Sequence, residues 1–515
     1  MSTAEDDPPP EAGKLPTGRL ARTARVGGLV TGQGLRWAGM RTANRVRTPE
    51  RAAAAQSERT AALVRELVDQ LGQMRGAAMK VGQMISMVEF DGLPEDEQDE
   101  LQRRLAALRD DVPPVPFKDL EKLMRQEFGG PPSRVFSDFD ERAFAAASIG
   151  QVHRATTREG EDVVVKTQYP GVAEAVETDL RNAVLLLPLL RRLAPGLDAR
   201  ALLAELRERI AEELDYELEA QNQRRIERIM RGHPFGRVPR VNLTLSTRRV
   251  LVSEYVEGER FEAVRRADTP VRDRYGEIIF RFFFGRLYRD GIALGDPHPG
   301  NYLLCPDGKV CFLDFGLLRD VEPARVAKER AIARGVRAKD APALKAALVD
   351  AGYLPADRAD AVQDEWALRL MRMAIKWYAV PGERRFSPEA ARRGRGRGDE
   401  SHDGHESRDG HGGRDGRDGR DGRDGHESRD DDGERRGQAR EQVNQFTLPP
   451  EAILIRRMHG LVAIVLQQLR AGADWGTIAA EYLDGADPAT PLGEAEAEFF
   501  ARQGRRPRVA TEAAG

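Results

Sequence analysis

The stretch from Gly295 to Gly316 constrains this chain more than any other: Gly-Asp-Pro-His-Pro-Gly-Asn, two short apolar runs about a Pro-Asp-Gly turn, then Leu-Asp-Phe-Gly. Tyr302-Leu-Leu-Cys and Val310-Cys-Phe-Leu flank Pro306-Asp307-Gly308, the pattern of a β-hairpin. A hairpin there brings Asn301 and Asp314 to the same end, with Asp296 five residues before Asn301. These residue types suit phosphoryl transfer. A transferring phosphoryl group spreads negative charge over its oxygens, Mg²⁺ held by Asn301 and Asp314 would meet that charge, and Asp296 would accept a proton or orient the nucleophile. The alternative for the stretch taken alone is a polar loop beside a surface hairpin.

At 515 residues the chain exceeds one ordinary core, so two or more compact units with tails are expected. Its 81 basic and 84 acidic residues give no overall bias toward nucleic acid, and none is expected as a partner. The charge is uneven, however. From Lys14 to Arg47 there are eight Lys or Arg and no acidic residue, with Leu20, Val26, Leu29, Leu35, Trp37 and Met40 interspersed. Such a leader suits peripheral contact with an anionic membrane, or packing on its own domain. The chain shows no signal-peptide pattern, and the apolar runs Ala183–Leu190 and Ile453–Leu469 are respectively too short and interrupted by Arg456, Arg457 and His459, so no transmembrane helix is expected. The expectation is a cytoplasmic protein with peripheral membrane contact. Cys305 and Cys311 face each other across the hairpin and read as small strand residues in a reducing compartment. His298, between two prolines, reads as a phosphate-binding or structural hydrogen-bonding residue rather than a metal ligand.

The pattern divides the chain. Residues 1–50 form a basic flexible leader, and 51–116 a helical extension in which Leu63, Leu67, Leu71, Met74 and Ala78 recur at three- and four-residue steps. Residues 117–258 begin with a short helix at Lys118–Phe128. A hairpin follows from Phe144, and a buried strand, Val163-Val-Val-Lys166, ends in lysine. Long helices are predicted over Glu174–Leu193 and Ala199–Met230, and strands over Val238–Val241 and Arg249–Val256. Residues 259–391 carry an amphipathic aromatic helix, Tyr275–Asp290, just before the catalytic loop. Residues 392–440 repeat Arg-Asp-Gly and Gly-His-Glu-Ser-Arg-Asp units that cannot bury a core, so they read as a disordered insertion whose removal leaves nucleotide binding unchanged. Helical pattern returns over 441–490, and 491–515 reads as a flexible tail.

Lys166 at the end of an apolar strand offers a fixed positive charge to nucleotide phosphates. Its candidate partner is Glu219. Glu212, Asp215 and Glu219 share helical spacings of three and four, with Glu213 beside them. An ordinary solvated acidic face is the alternative for that helix.

Together these segments resemble the UbiB/AarF/ADCK-type atypical kinases. The resemblance covers roughly residues 60–390 and 445–470 and rests on Lys80-Val-Gly-Gln83, Ala145-Ala-Ala-Ser-Ile-Gly-Gln-Val-His-Arg-Ala155, Glu213-Leu-Asp215, and Asp296 to Asn301 followed by Asp314-Phe-Gly. It implies an α+β, protein-kinase-like bilobal fold. The small N-lobe would be mostly β, with a helical N-terminal extension and a helical insertion, and the larger C-lobe α-helical. ATP or ADP would bind between the lobes with Mg²⁺. It also implies that Lys80 and Gln83 meet Glu213 and Asp215 across the place where a protein substrate would dock. Residue by residue, Lys166 paired with Glu219 would hold the α- and β-phosphates. Asp296 would be the catalytic base, and Asn301 and Asp314 the metal ligands. Glu254, Tyr255 and Val256 would be the hinge that binds adenine through backbone groups. The loop of Ala145, Ala146, Ala147, Ser148, Ile149 and Gly150 would cover the phosphates, alanine restricting the close approach that glycine allows. Weak self-phosphorylation is therefore expected. The implied function is ATP hydrolysis, or phosphorylation of a small or lipid-related acceptor, in support of isoprenoid quinone metabolism.

Two departures stand out. Gly295-Asp296 is similar to the Gly-Asp of aminoglycoside and choline kinases, and the paired C-terminal transmembrane helices of some bacterial relatives are not apparent. A small-molecule phosphotransferase of that kinase type is the alternative enzyme, although it would lack the Lys80–Gln83 extension. A nucleotide- or lipid-binding pseudokinase scaffold is the non-enzymatic alternative.

Overall fold

The computed structural model describes residues 115–147, 149–178, 180–181, 207, 210–386 and 441–504. The basic leader, the extension with Lys80 and Gln83, Ser148 and the 392–440 insertion lie outside those residues. The chain forms two compact units that are not consecutive blocks. To the first belong the described residues as far as Ile229, Pro239–Val256 and Asp314–Leu317, and to the second Met230–Val238, Glu257–Leu313 and the residues from Leu318 onward.

The first unit is built on a five-stranded antiparallel sheet of β1 (Phe136–Phe139), β2 (Ala145–Ala147), β3 (Gly150–Thr157), β4 (Asp162–Gln168) and β5 (Val250–Glu254), in the order β1-β3-β4-β5 with β2 also on β3. Side chains alternate across a strand, so Val163 and Val165 enter the core with Val250 and Val252 while Val164 and Lys166 take the opposite face. Helix α1 (Phe117–Phe128) closes the core side. Its Leu120, Leu123 and Met124 fall at i, i+3 and i+4, one buried stripe, and Leu123 and Met124 pack with Phe136, Ala155 and the four valines. Each such side chain contributes about 1.5–3 kcal/mol by leaving water.

The long helix expected to run from Ala199 to Met230 is interrupted. Helical residues end at Glu213, and α2 (Tyr216–Met230) starts afresh with Asp215 outside it. The Asp215 Oδ1 accepts from the Glu217 and Leu218 N–H groups, both at 3.1 Å, the work of an N-cap. The single acidic face read through Glu212, Asp215 and Glu219 is therefore not one face, because its members lie on either side of a break. Nor do Val238–Val241 form a strand; they contribute one bridge, Val241 to Ser253.

In the second unit α3 (Thr269–Asp290) is the central helix. It is not amphipathic as expected: from Tyr275 to Tyr288 every residue except Glu277 is buried. Aromatic contacts surround it, Phe280 lying 5.4 Å from Trp475 and Phe284 stacking on His459 at 4.8 Å. Around it run α4 (Pro323–Ala338), α5 (Ala341–Asp350), α6 (Asp364–Ala379), α7 (Pro450–Leu469), α8 (Trp475–Leu483) and α9 (Pro491–Arg502). Among the described residues α7 alone is long and apolar enough to cross a membrane, yet half of that stretch is buried, including Ile455, Met458, His459, Val462 and Leu466. It serves as a core helix of this unit.

The stretch expected to begin a flexible tail at residue 491 is helical over Pro491–Arg502. Thr490 caps it by accepting from the Gly493 N–H, and Leu492, Glu496 and Phe500, four residues apart, are buried. Glu496 accepts from Arg289 Nη1 at 3.0 Å and from Arg281 Nη1 at 3.4 Å, and Arg281 is itself wholly buried. A charged pair at such depth fixes α9 to α3, because removing either side would strand the other.

Candidate active site

Lys166 sits third from the end of β4, opposite Val152 on β3 and Leu251 on β5. Its Nζ donates to both carboxylate oxygens of Glu219, at 2.8 and 2.9 Å, with the lysine side chain 21% exposed and the glutamate 4%. Fifty-three residues separate the pair in sequence. Gln168 brings α2 into place: its Nε2 donates to the Leu214 carbonyl at 2.9 Å and to the Arg248 carbonyl at 3.3 Å, tying the end of β4 to the chain just before the helix.

Burial works against a charged Lys166. The charge of Glu219 and its hydrogen bond, together with Tyr216 and Asp314, outweigh it, and the ammonium is held well above its ordinary pKa. The pair is therefore ionised, the proton staying on lysine.

Two further residues of α2 act here that sequence reasoning missed. The Tyr216 ring lies under the ammonium, 4.8 Å from Nζ, and Asn222 Nδ2 donates to the Phe315 carbonyl at 3.1 Å within Asp314-Phe-Gly. Tyr216, Glu219 and Asn222 repeat every three residues, so one stripe of α2 serves both Lys166 and the Asp-Phe-Gly segment. That spacing was the available signal.

Ala147 pairs with Gly150 where β2 meets β3. A Cβ on Gly150 would lie 2.2 Å from the Thr167 carbonyl oxygen, so glycine is required there by the neighbouring strand, whatever lies over the loop. Ile149 is buried and its carbonyl accepts from Tyr169 N–H at 2.8 Å. At the expected hinge, the Glu254 N–H donates to the Arg240 carbonyl, its carboxylate accepts from the Arg240 N–H at 3.1 Å, and the Tyr255 N–H donates to the Asp162 carbonyl at 3.0 Å. Those groups are committed to the sheet.

In the second unit β6 (Ile292–Leu294) leads into the loop of Asp296–Asn301 and pairs with β9 (Leu318–Asp320). Between them β7 (Tyr302–Leu304) and β8 (Val310–Phe312) form the expected antiparallel hairpin, Tyr302 opposite Phe312. Its turn needs Gly308 at φ 75°, and Asp307 Oδ1 accepts from the Lys309 N–H. The Leu313 N–H donates to the Asn301 carbonyl at 3.0 Å, so the hairpin closes where Asn301 enters it, one residue before Asp314. Phe312 stacks on Phe282 of α3 at 3.6 Å, anchoring the hairpin to the core.

Asn301 Nδ2 donates to the Asp296 carbonyl at 3.2 Å, which turns the amide oxygen outward from that bond. His298 Nδ1 accepts from the Gly300 N–H at 3.1 Å, a turn-forming role. Asp314 Oδ1 accepts from the Gly316 N–H at 3.0 Å. Cys305 and Cys311 are buried thiols; a hydrogen bond with Cys311 lowers the Cys305 pKa.

The residues fit nucleotide with Mg²⁺. Among the described residues no group of three or more His, Cys, Asp or Glu is arranged to hold a metal alone. Asp314 in the first unit and Asn301 in the second each offer a side-chain oxygen, and Mg²⁺ that also takes phosphate oxygens and water needs few protein ligands. The electrostatics agree, because Glu219, Glu213 and Asp314 together outnumber Lys166, and Asp314 and Glu213 both oppose ionisation of Glu219. An added cation would relieve that excess.

A sheet lysine ion-paired to a helix glutamate, with Asp-Phe-Gly held by the same helix, is the framework of a protein-kinase-like α+β fold. Residues 107–347 match the ABC1 atypical kinase-like domain. An uncharacterized protein of Mycobacterium tuberculosis is 36% identical over 273 residues, 51% of this chain and 54% of that protein. The mitochondrial atypical kinase COQ8B of Danio rerio is 31% identical over 311 residues, 60% of this chain and 49% of the relative. The chain thus spans about half the length of these curated relatives. Among solved structures, Rv3197 of Mycobacterium tuberculosis in complex with erythromycin is similar, with TM-score 0.54 and 28% identity over 83% of this chain and 98% of that one.

Proposed function

We propose that this chain is an ATP-dependent, Mg²⁺-requiring atypical kinase or ATPase that acts on water or a small, lipid-related acceptor in isoprenoid quinone metabolism. The observation that carries the reading is the bidentate Lys166–Glu219 ion pair, which holds a cation on the face of the sheet opposite the core, where it would meet a phosphate. Bound Mg²⁺ would supply charge neutralisation for the phosphates, with Asn301 and Asp314 as its ligands. Lys166 would hold the α- and β-phosphates, Asp296 would orient or deprotonate the nucleophile, and the Glu254 carbonyl and Val256 backbone would meet adenine. Lys80 and Gln83, with Glu213 and Asp215, would keep protein substrates out. The kinship with a mitochondrial COQ8B supports the quinone assignment.

The test is phosphate release from Mg-ATP by the full chain, alone and with isoprenoid quinone headgroup analogues. Asp314→Asn keeps an acceptor for the Gly316 N–H but loses the charge, and Lys166→Met loses the ammonium. Each is expected to lower turnover at least a hundredfold. Turnover unaltered in both refutes the assignment. Erythromycin, the ligand of the similar mycobacterial protein, belongs in the same assay as a small-molecule probe.

A further inference from the structure

One side chain ties the Asp-Phe-Gly segment to helix α2. Asn222 Nδ2 donates to the Phe315 carbonyl at 3.1 Å, across 93 residues of sequence. Asn222 is half-buried and Phe315 is buried. Asp314–Leu317 belongs to the first unit, and among the described residues no other hydrogen bond joins this stretch to the rest of that unit. The remaining bond of the stretch is internal, from the Gly316 N–H to Asp314 Oδ1 at 3.0 Å. It closes Asp314-Phe-Gly into a turn stapled by its own aspartate, so whatever holds the Phe315 carbonyl also sets the direction of the Asp314 carboxylate.

Charge does not hold that carboxylate in place. Asp314 lies within electrostatic reach of Lys166, whose ammonium it favours, and of Glu219, whose ionisation it opposes. Glu219 already takes the ammonium with both of its oxygens, so the pair as a whole attracts a second carboxylate only weakly. Glu213 adds a further negative charge beside Glu219. A hydrogen bond from a neutral amide fixes the turn without enlarging this negative excess, whereas a carboxylate at position 222 would enlarge it and has no proton to donate. Asn222 stands one helical turn beyond Glu219, so the helix that fixes the ion pair fixes the turn as well.

We propose that Asn222 is a positioning residue for Asp314: by holding the Phe315 carbonyl it keeps the carboxylate set for a divalent cation before the cation arrives. The link to the cation rests on the reading that Asp314 is a ligand of Mg²⁺ in the Mg-ATP complex; the positioning itself does not. Asn222→Leu keeps the branched outline of the side chain without its donor, and Asn222→Asp keeps the shape but offers only acceptors. Hydrogen exchange of the full chain, free of nucleotide and metal and resolved to the Gly316 amide by mass spectrometry, is expected to be about tenfold faster in both variants, with α2 and β4 unchanged. By calorimetry, affinity for ATP in Mg²⁺ is expected to fall about tenfold, while affinity in EDTA stays within about threefold of the parent. Parental exchange at Gly316 in the folded Asn222→Leu protein overturns the proposal whether or not the chain binds ATP. Faster exchange spreading through α2 and β4 in both variants, or an equal loss of ATP affinity with and without Mg²⁺, marks a merely structural role and overturns it too. Faster exchange at Gly316 with parental affinity in Mg²⁺ overturns the link to the cation. A parent chain that binds no Mg-ATP overturns the functional reading instead, and the Gly316 amide then decides the positioning by itself.

Discussion

Removing Glu219 should damage this chain far more than removing Lys166, although the two side chains form one ion pair. In Glu219→Ala the ammonium stays beside Tyr216 with its bidentate partner gone. Cutting a buried pair on one side typically costs about 3–5 kcal/mol. Lys166 keeps 21% of its side chain exposed, which moves the figure to the lower end, about 3 kcal/mol or roughly 150-fold in the opening equilibrium. Lys166→Met leaves the carboxylate instead, and burial together with Asp314 and Glu213 pushes its pKa up. It can take a proton, so the loss should be about 1–2 kcal/mol. The sign follows. A carboxyl whose folded-state pKa lies above its unfolded value favours folding at low pH and loses that advantage as pH rises through the folded value, so Lys166→Met should recover stability in mild acid. Lys166→Met with Glu219→Leu should fall within about 1 kcal/mol of the parent. Because a chain of two units need not unfold in one step, the assay is hydrogen exchange of β4 and α2 peptides at pH 7 and 5.5, corrected for intrinsic rates. Exchange in Glu219→Ala within threefold of the parent would refute the reasoning.

Three further outcomes are expected. Gly150→Ala forces a methyl to within 2.2 Å of the Thr167 carbonyl and should cost about 1–3 kcal/mol, read as a lowered melting temperature; an unshifted melt would mean that the strands part freely. Asp215→Ala should cost about 1 kcal/mol by losing the cap of α2, whereas Asp215→Asn keeps an acceptor for the Glu217 and Leu218 N–H groups and should cost only a few tenths. Equal losses in the two variants, measured by exchange of α2, would rule out the capping role. His153, His233 and His459 are all held below the ordinary imidazole pKa, chiefly by burial. Below pH 6.5 the unfolded chain binds protons that the folded chain refuses, so stability should fall with pH by up to about 1.4 kcal/mol per unit for each histidine. With two of the three in the second unit, exchange there should rise more steeply between pH 6.5 and 5.5 than in the first; equal slopes would contradict this.

The elements nearest the chemistry were legible because their signals are local. Pro306-Asp307-Gly308 between two apolar runs specifies a hairpin, since the turn needs a residue at positive φ and the runs need partners. Val163-Val-Val-Lys166 alternates faces by the geometry of a strand, which turns a lysine away from the core without any knowledge of its partner. The tail beginning at residue 491 was misread for an equally physical reason. Charged Glu494, Glu496 and Glu498 suggest solvent, and only Arg281 and Arg289, some two hundred residues away, make the middle one a buried group.

By itself the sequence determined the hairpin after Asn301, the strand under Lys166, the Asp-Phe-Gly segment and the likeness to a kinase-like fold, all of which depend on periods and turn residues within reach of one another. Tertiary structure alone decided that Asp215 caps a helix instead of sharing a face with Glu219, that Asn222 holds Phe315, and that Gln151 bonds the backbone of Val115. Those choices depend on strand register and on where a helix restarts. Many local patterns are compatible with several registers, and only the joint burial of the core selects one.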